Sequence, residues 1–131
     1  MKLSLAAGLA VYVSLANAFK GKMTHYTPAL GSCGLTHGDG DAVVALSKEI
    51  MQNGPNPNAN RLVMSMLAMW CGTKIVIRNL ATGSATQATI VDTCYGCAKY
   101  DIDVSTGLFK IVAPGADGTA QIEWGGEAIG G

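Results

Sequence analysis

Four cysteines, Cys33, Cys71, Cys94 and Cys97, come after an N-terminal segment that runs Met1-Lys2, an apolar stretch from Leu3 to Leu15, and then Ala16-Asn-Ala18. Charged, apolar and small residues in that order make a secretory signal peptide, with cleavage expected after Ala18. The apolar run is shorter than the roughly 20 residues that cross a bilayer, and no later stretch is long or uncharged enough to do so. The expectation is therefore a secreted, soluble chain of 113 of the 131 residues, one domain with a single modest core. In an oxidising compartment four cysteines read as two disulfides, for which three connectivities exist. A redox role for Cys94-Tyr-Gly-Cys97 would need a thioredoxin-like βαβ pattern that is absent, and Cys33 and Cys71 lack the paired spacing of a structural zinc site.

Short strands dominate the chain beyond the leader. Gly21 to Thr27 has strand character, Pro28 to Asp41 is a glycine-rich loop, and Ala42 to Leu46 is a short apolar run. Ser47 is placed to cap a brief helix through Met51, which Asn53-Gly-Pro-Asn-Pro-Asn58 breaks. Lys74 to Arg78 and Ala85 to Val91 flank Ala81-Thr-Gly-Ser84 as the arms of a β-hairpin. Ser105 caps a second short helix, Thr106 to Val112, which Pro114 and Gly115 end, and Thr119 to Trp124 alternates as a last strand. Short strands with two short helices point to a small β-barrel rather than a βαβ sheet. Arg61 to Trp70 carries three methionines and no acidic residue; it reads as a buried helix or as a poorly packed insertion.

Polar chemistry gathers in Ile90 to Ser105. Asp92, Asp101 and Asp103 are three of the nine acidic residues, and the runs on either side look like strand ends opening onto one loop. Without Lys2 the chain keeps eight basic residues against nine acidic ones, scattered rather than clustered, so nucleic acid and anionic membranes are poor partners. A near-neutral surface suits an uncharged ligand such as a polysaccharide. No P-loop, dinucleotide fingerprint, Gly-x-Ser-x-Gly or serine–histidine arrangement is present, so the residues support no cofactor. His37-Gly-Asp-Gly-Asp41 lacks the ligand spacing of a calcium loop and reads as a flexible rim, with no metal expected.

Met23-Thr-His-Tyr26, Gly31-Ser-Cys-Gly34, Val43 to Ser47, Cys71-Gly72, Ile90-Val-Asp-Thr-Cys94, Asp101-Ile-Asp-Val-Ser105 and Ile122-Glu-Trp124 occur in that order. Together they resemble the expansin-type domain also found in RlpA-like, barwin-like and loosenin-like proteins, above all the single-domain secreted fungal members. The resemblance implies a mainly β fold, a six-stranded double-psi β-barrel with short helices over residues 19–131, and an open groove for a polysaccharide chain. It places Thr24, Asp92 and Asp103 in that groove with Tyr26 and Tyr95 beside them, and pairs Cys33 with Cys71 and Cys94 with Cys97. Arg61 to Trp70 looks like an insertion relative to this pattern, and the carbohydrate-binding second domain of full expansins has no counterpart before Gly131.

Asp103 is the candidate catalytic residue, since a half-buried carboxylic acid can donate a proton to a glycosidic oxygen. Hydrolysis takes a second carboxylate, and where related barrel endoglucanases hold theirs this chain has Thr24, His25 and Tyr26. Asp92 could serve, or could accept backbone N–H bonds within its own loop. The leading expectation is therefore a monomeric secreted protein that binds cellulose, xylan or chitin and loosens the wall without cutting bonds. The alternative is a barwin-like protein-binding module or protease inhibitor, with a polysaccharide hydrolase third. A purely structural alternative has Asp103 cap the second helix, Asp101 solvated and His25 an exposed or packed neighbour.

Overall fold

The computed structural model describes residues 14–53 and 70–128, with side chains over 18–52 and 70–126. Its elements are strand β1 (Ser14–Tyr26), β2 (Val43–Ser47), helix α1 (Lys48–Asn53), β3 (Lys74–Asn79), β4 (Ala85–Cys94), β5 (Ile102–Ser105), helix α2 (Thr106–Val112) and β6 (Ala120–Ala128). The strands close a barrel in the order β1-β5-β2-β4-β3-β6. The β1–β5 and β2–β4 neighbours run parallel and the other pairs antiparallel. Closure pairs every barrel strand on both sides among the described residues, which removes the open edge another chain could extend.

Alternation sorts the side chains. Met23 of β1, Val44 and Leu46 of β2, and Ile102 and Val104 of β5 fill the interior at full burial, so Thr24, Ala45 and Asp103 between them face outward. Ile75, Ile77, Ile90, Ile122 and Trp124 complete the core, and Leu108, Phe109 and Val112 of α2 pack onto it. The indole of Trp124 donates to the Tyr100 carbonyl at 2.9 Å, and Phe19 stacks on Tyr100 with ring centres 4.6 Å apart.

Both expected helix caps form. The Ser47 hydroxyl accepts from the Ile50 amide at 3.1 Å and donates to the Lys99 carbonyl at 2.7 Å. The Ser105 hydroxyl accepts from the Leu108 amide and donates to the Asp41 carbonyl, tying α2 to the 28–41 loop. The β3–β4 hairpin turns through Gly83, whose φ of 79° a residue with a Cβ adopts only under strain. β1 begins earlier than the sequence suggests: Ser14, Leu15 and Ala16 pair with Ala128, Glu127 and Gly126, and a register shift then separates Ala16 from Phe19. Arg61 to Met69 lie outside the described residues, as does most of the Asn53–Asn58 break; Trp70 is half-buried against the core.

Cys33 bonds to Cys71 and Cys94 to Cys97. The two bridges close chain segments with sequence separations of 38 and 3, so a loop-entropy account assigns them about 4 and about 2 kcal/mol. Replacing Cys33 and Cys71 by serine should therefore cost roughly twice the unfolding free energy of the same change at Cys94 and Cys97, as measured by chemical denaturation of the two double variants.

Candidate functional site

One row of residues crosses four neighbouring strands. Thr24 on β1 lies opposite Asp103 on β5, Asp103 opposite Ala45 on β2, and Ala45 opposite Asp92 on β4. At about 4.8 Å per strand step the Cα atoms of Asp103 and Asp92 are about 10 Å apart. Asp92 joins the row because β4 carries one extra residue against β2: Val44 pairs with Ile90 and Ala45 with Asp92, leaving Val91 as the bulge. Strict alternation from buried Ile90 would turn Asp92 inward, and the bulge re-aims it outward. Ala45, itself only 2 % exposed, puts no longer side chain between the two carboxylates.

Thr24 Oγ1 donates to Asp103 Oδ1 at 3.1 Å. Burial holds the Asp103 carboxyl above its ordinary range. The Thr24 hydrogen bond and the charge of His25 pull it down, and the Asp92 charge pushes it further up. Tyr26, two residues after Thr24 on the same outer row of β1, reaches across to donate its hydroxyl to Asp92 Oδ2 at 3.4 Å. Its phenol is pushed well above the ordinary tyrosine value, by burial first and then by the charges of Asp92 and Asp103, so it stays a neutral donor.

Asp92 has a second set of partners. Its Oδ1 accepts from the amides of Ser32 at 2.9 Å and Thr93 at 2.8 Å, and the hydroxyls of Ser32 and Thr93 are themselves 2.9 Å apart. The approach is close enough to require Gly31: a Cβ there would collide with the Val91 carbonyl and crowd the Asp92 carboxyl. The 28–41 loop is thus fastened to β4 by a Cys33 amide bond to the Val91 carbonyl at 3.2 Å and by Asp92, and the Cys33–Cys71 bridge ties it to the turn ahead of β3.

Of the residues singled out from the sequence, Thr24, Tyr26, Asp92 and Asp103 come together through these bonds. Tyr95 stands apart on the Cys94–Cys97 loop, 73 % exposed, with Lys48 Nζ 6.0 Å from its ring centre. Asp101 is not simply solvated, since its Oδ1 accepts from the Lys22 amide at 2.9 Å. The α2 cap is Ser105 rather than Asp103. His25 is exposed, tilted against Phe109 at 4.8 Å, with Nδ1 3.1 Å from Thr106 Oγ1. Asp41 spends its carboxylate on the Gly38 amide at 2.8 Å within its own turn. Ser32 and Thr93 carried no sequence signal, because their partnership depends on the bulge and the loop closure.

No family model matches the chain. A protein described as an allergen Asp f 7 homolog, from the fungus Arthroderma benhamiae, is 33 % identical over 90 residues, which is 68 % of this chain and 27 % of that protein. Among solved structures, a Streptomyces papain inhibitor superposes with a TM-score of 0.63 at 26 % identity, over 87 % of this chain and 97 % of the inhibitor. An expansin from Clavibacter michiganensis superposes at 0.61 and 21 % identity, and a mutant of it in complex with cellohexaose at 0.63 and 18 %. Each of these covers 82 % of this chain and 48 % of the expansin, so the chain spans about a quarter of the curated relative and about half of the expansins. The chain has the double-psi β-barrel fold of expansins and barwin-like proteins.

Because folding raises the Asp103 pKa, the folded state binds the proton more tightly than the unfolded chain. The stability this contributes is present below the ordinary aspartate value and is lost as pH rises through the folded one. The wild-type protein should therefore lose stability relative to Asp103→Asn as pH climbs through that window, in denaturant titrations of both proteins run in parallel. Thr24→Val, which removes the bond that lowers the pKa, should move the window upward.

Proposed function

We propose that this protein is secreted and uses the Thr24–Asp103–Asp92 face to bind a neutral cell-wall polysaccharide such as cellulose, xylan or chitin, loosening contacts between chains without cleaving them. The observation that carries the reading is the half-buried Thr24–Asp103 pair on an outward row with an alanine floor. Asp103 accepts hydrogen bonds when ionised and donates one when protonated, and each form matches a sugar hydroxyl. The expansin of the same fold that was captured with cellohexaose supports a glucan as one occupant.

Cleavage is a poorer fit. A hydrolase needs its second carboxylate free to act as base or nucleophile, and Asp92 has three donors on its two oxygens. Secretion is supported by the leader-like first 18 residues and by four cysteines held in two disulfides. Cleavage after Ala18 would leave Phe19 at the N-terminus, the residue where the regular β1–β6 register begins.

A protein-binding reading is favoured by a different observation. The papain inhibitor matches over nearly its full length, and Leu30 and Leu35 stand 71 % and 64 % exposed on the disulfide-tethered loop. The two readings separate in one set of assays. Depletion of the purified protein by insoluble cellulose, xylan or chitin, weakened several-fold by Asp103→Asn and by Tyr26→Ala and accompanied by no new reducing ends, is the expected result. Absence of depletion on all three polymers, together with papain inhibition lost in Leu30→Ala/Leu35→Ala, would transfer the function to the loop.

A further inference from the structure

We infer that the hydroxyls of Ser32 and Thr93 form a second sugar-contacting subsite at the β4 end of the groove, and that Asp92 is the positioning residue that presents them. This subsite rests on the polysaccharide reading and gives Asp92 an indirect part in it.

A carboxylate offers two oxygens, and in Asp92 Oδ1 is taken by the Ser32 and Thr93 amides and Oδ2 by the Tyr26 hydroxyl. The charge is spent on joining β1, β4 and the 28–41 loop. The two amides converge on one oxygen, at 2.9 and 2.8 Å, and that fixes the backbones of Ser32 and Thr93 relative to each other. Their hydroxyls consequently meet at 2.9 Å. Two hydroxyls carry two protons between them, and their mutual bond uses one. The other proton and the remaining lone pairs are left for a further partner, at a place where Ser32 is exposed and Thr93 half-buried.

Such a pair both donates and accepts, as a sugar hydroxyl does, and carries no charge. The pair is also built before any ligand arrives: the Cys33–Cys71 bridge, the Gly31 amide to the Leu35 carbonyl at 3.0 Å and the Gly34 amide to the Gly31 carbonyl at 2.9 Å hold the loop. A preformed contact escapes most of the ordering cost of binding. From Thr24 on β1 to Asp92 on β4 is three strand steps, about 14 Å, so Thr24–Asp103 and Ser32–Thr93 would hold different sugar residues of one extended chain. The contact at the β4 end is then made only by ligands long enough to reach it.

Chain-length dependence tests this directly. Affinities of the purified protein for the two-sugar and six-sugar oligomers of cellulose, xylan and chitin are measured by calorimetry or affinity electrophoresis. Ser32→Ala/Thr93→Val should weaken the six-sugar ligand about tenfold, as expected for two modest hydrogen bonds, and leave the two-sugar ligand unchanged. Asp103→Asn should weaken both lengths. Asp92→Asn keeps an acceptor oxygen for the two amides and should weaken the six-sugar ligand less than Asp92→Ala, which should resemble the hydroxyl double variant. Asp92→Asn and the hydroxyl double variant keep the test decisive if Asp92→Ala does not fold. Wild-type affinity in the hydroxyl double variant, with Asp103→Asn impaired, would overturn the subsite and leave the groove reading in place. A loss in Asp92→Asn as large as in Asp103→Asn would make Asp92 a direct ligand and overturn its positioning role. A wild-type protein that binds none of the oligomers at either length would overturn both readings together.

Discussion

The arrangement of the carboxylate row depends on one extra residue in β4. Where β2 advances from Val44 to Ala45, β4 advances from Ile90 to Asp92, and that local slip turns a side chain destined for the interior onto the outer face. Burying an unpaired carboxylate among Val44, Leu46 and Ile102 would be prohibitive. Turned outward, Asp92 collects two loop amides and a phenol. The bulged Val91 in turn offers its carbonyl to the Cys33 amide, so the same irregularity that aims Asp92 also docks the loop carrying the first disulfide. Barrel, loop and carboxylate row meet at this point.

Two carboxylates on one face are thereby given different work. Asp103 is half-buried with the Thr24 hydroxyl as its partner, and its proton affinity is raised chiefly by burial. Asp92 is surrounded by donors and acts as a junction. Catalytic pairs depend on environments that push two carboxyls apart in role, and this pair is pushed toward one responsive group and one structural group. That division suits recognition of hydroxyl-rich, uncharged chains better than it suits bond cleavage.

Much of this was legible from the residues. The hairpin, both serine caps and the last strand follow from local turn, capping and alternation rules, because each depends on neighbours within a few positions. The ordered motifs from Met23-Thr-His-Tyr26 to Ile122-Glu-Trp124 carried the barrel and the disulfide pairs. What stayed hidden depends on register. Nothing in Ile90-Val-Asp92 marks Val91 as a bulge, so backbone N–H bonds to Asp92 could be expected, but neither the Ser32–Thr93 contact nor the reach of Asp92 to the 28–41 loop and Tyr26 could be. Ala45 is equally silent, since its role comes from its neighbours on β5 and β4 and not from its own chemistry. The early start of β1 was obscured because residues 14–18 read as the end of a leader.

Whether a sugar chain touches the molecule, and where, is the decisive question. An amide NMR titration with cellohexaose, and with the corresponding xylan and chitin oligomers, maps this residue by residue. Shifts concentrated at Thr24, Asp103, Ser32 and Thr93 for at least one oligomer, with the α2 and β3 amides unmoved, are the predicted result. A spectrum unchanged by all three oligomers, or shifts confined to a face away from the Thr24–Asp92 row, would contradict it.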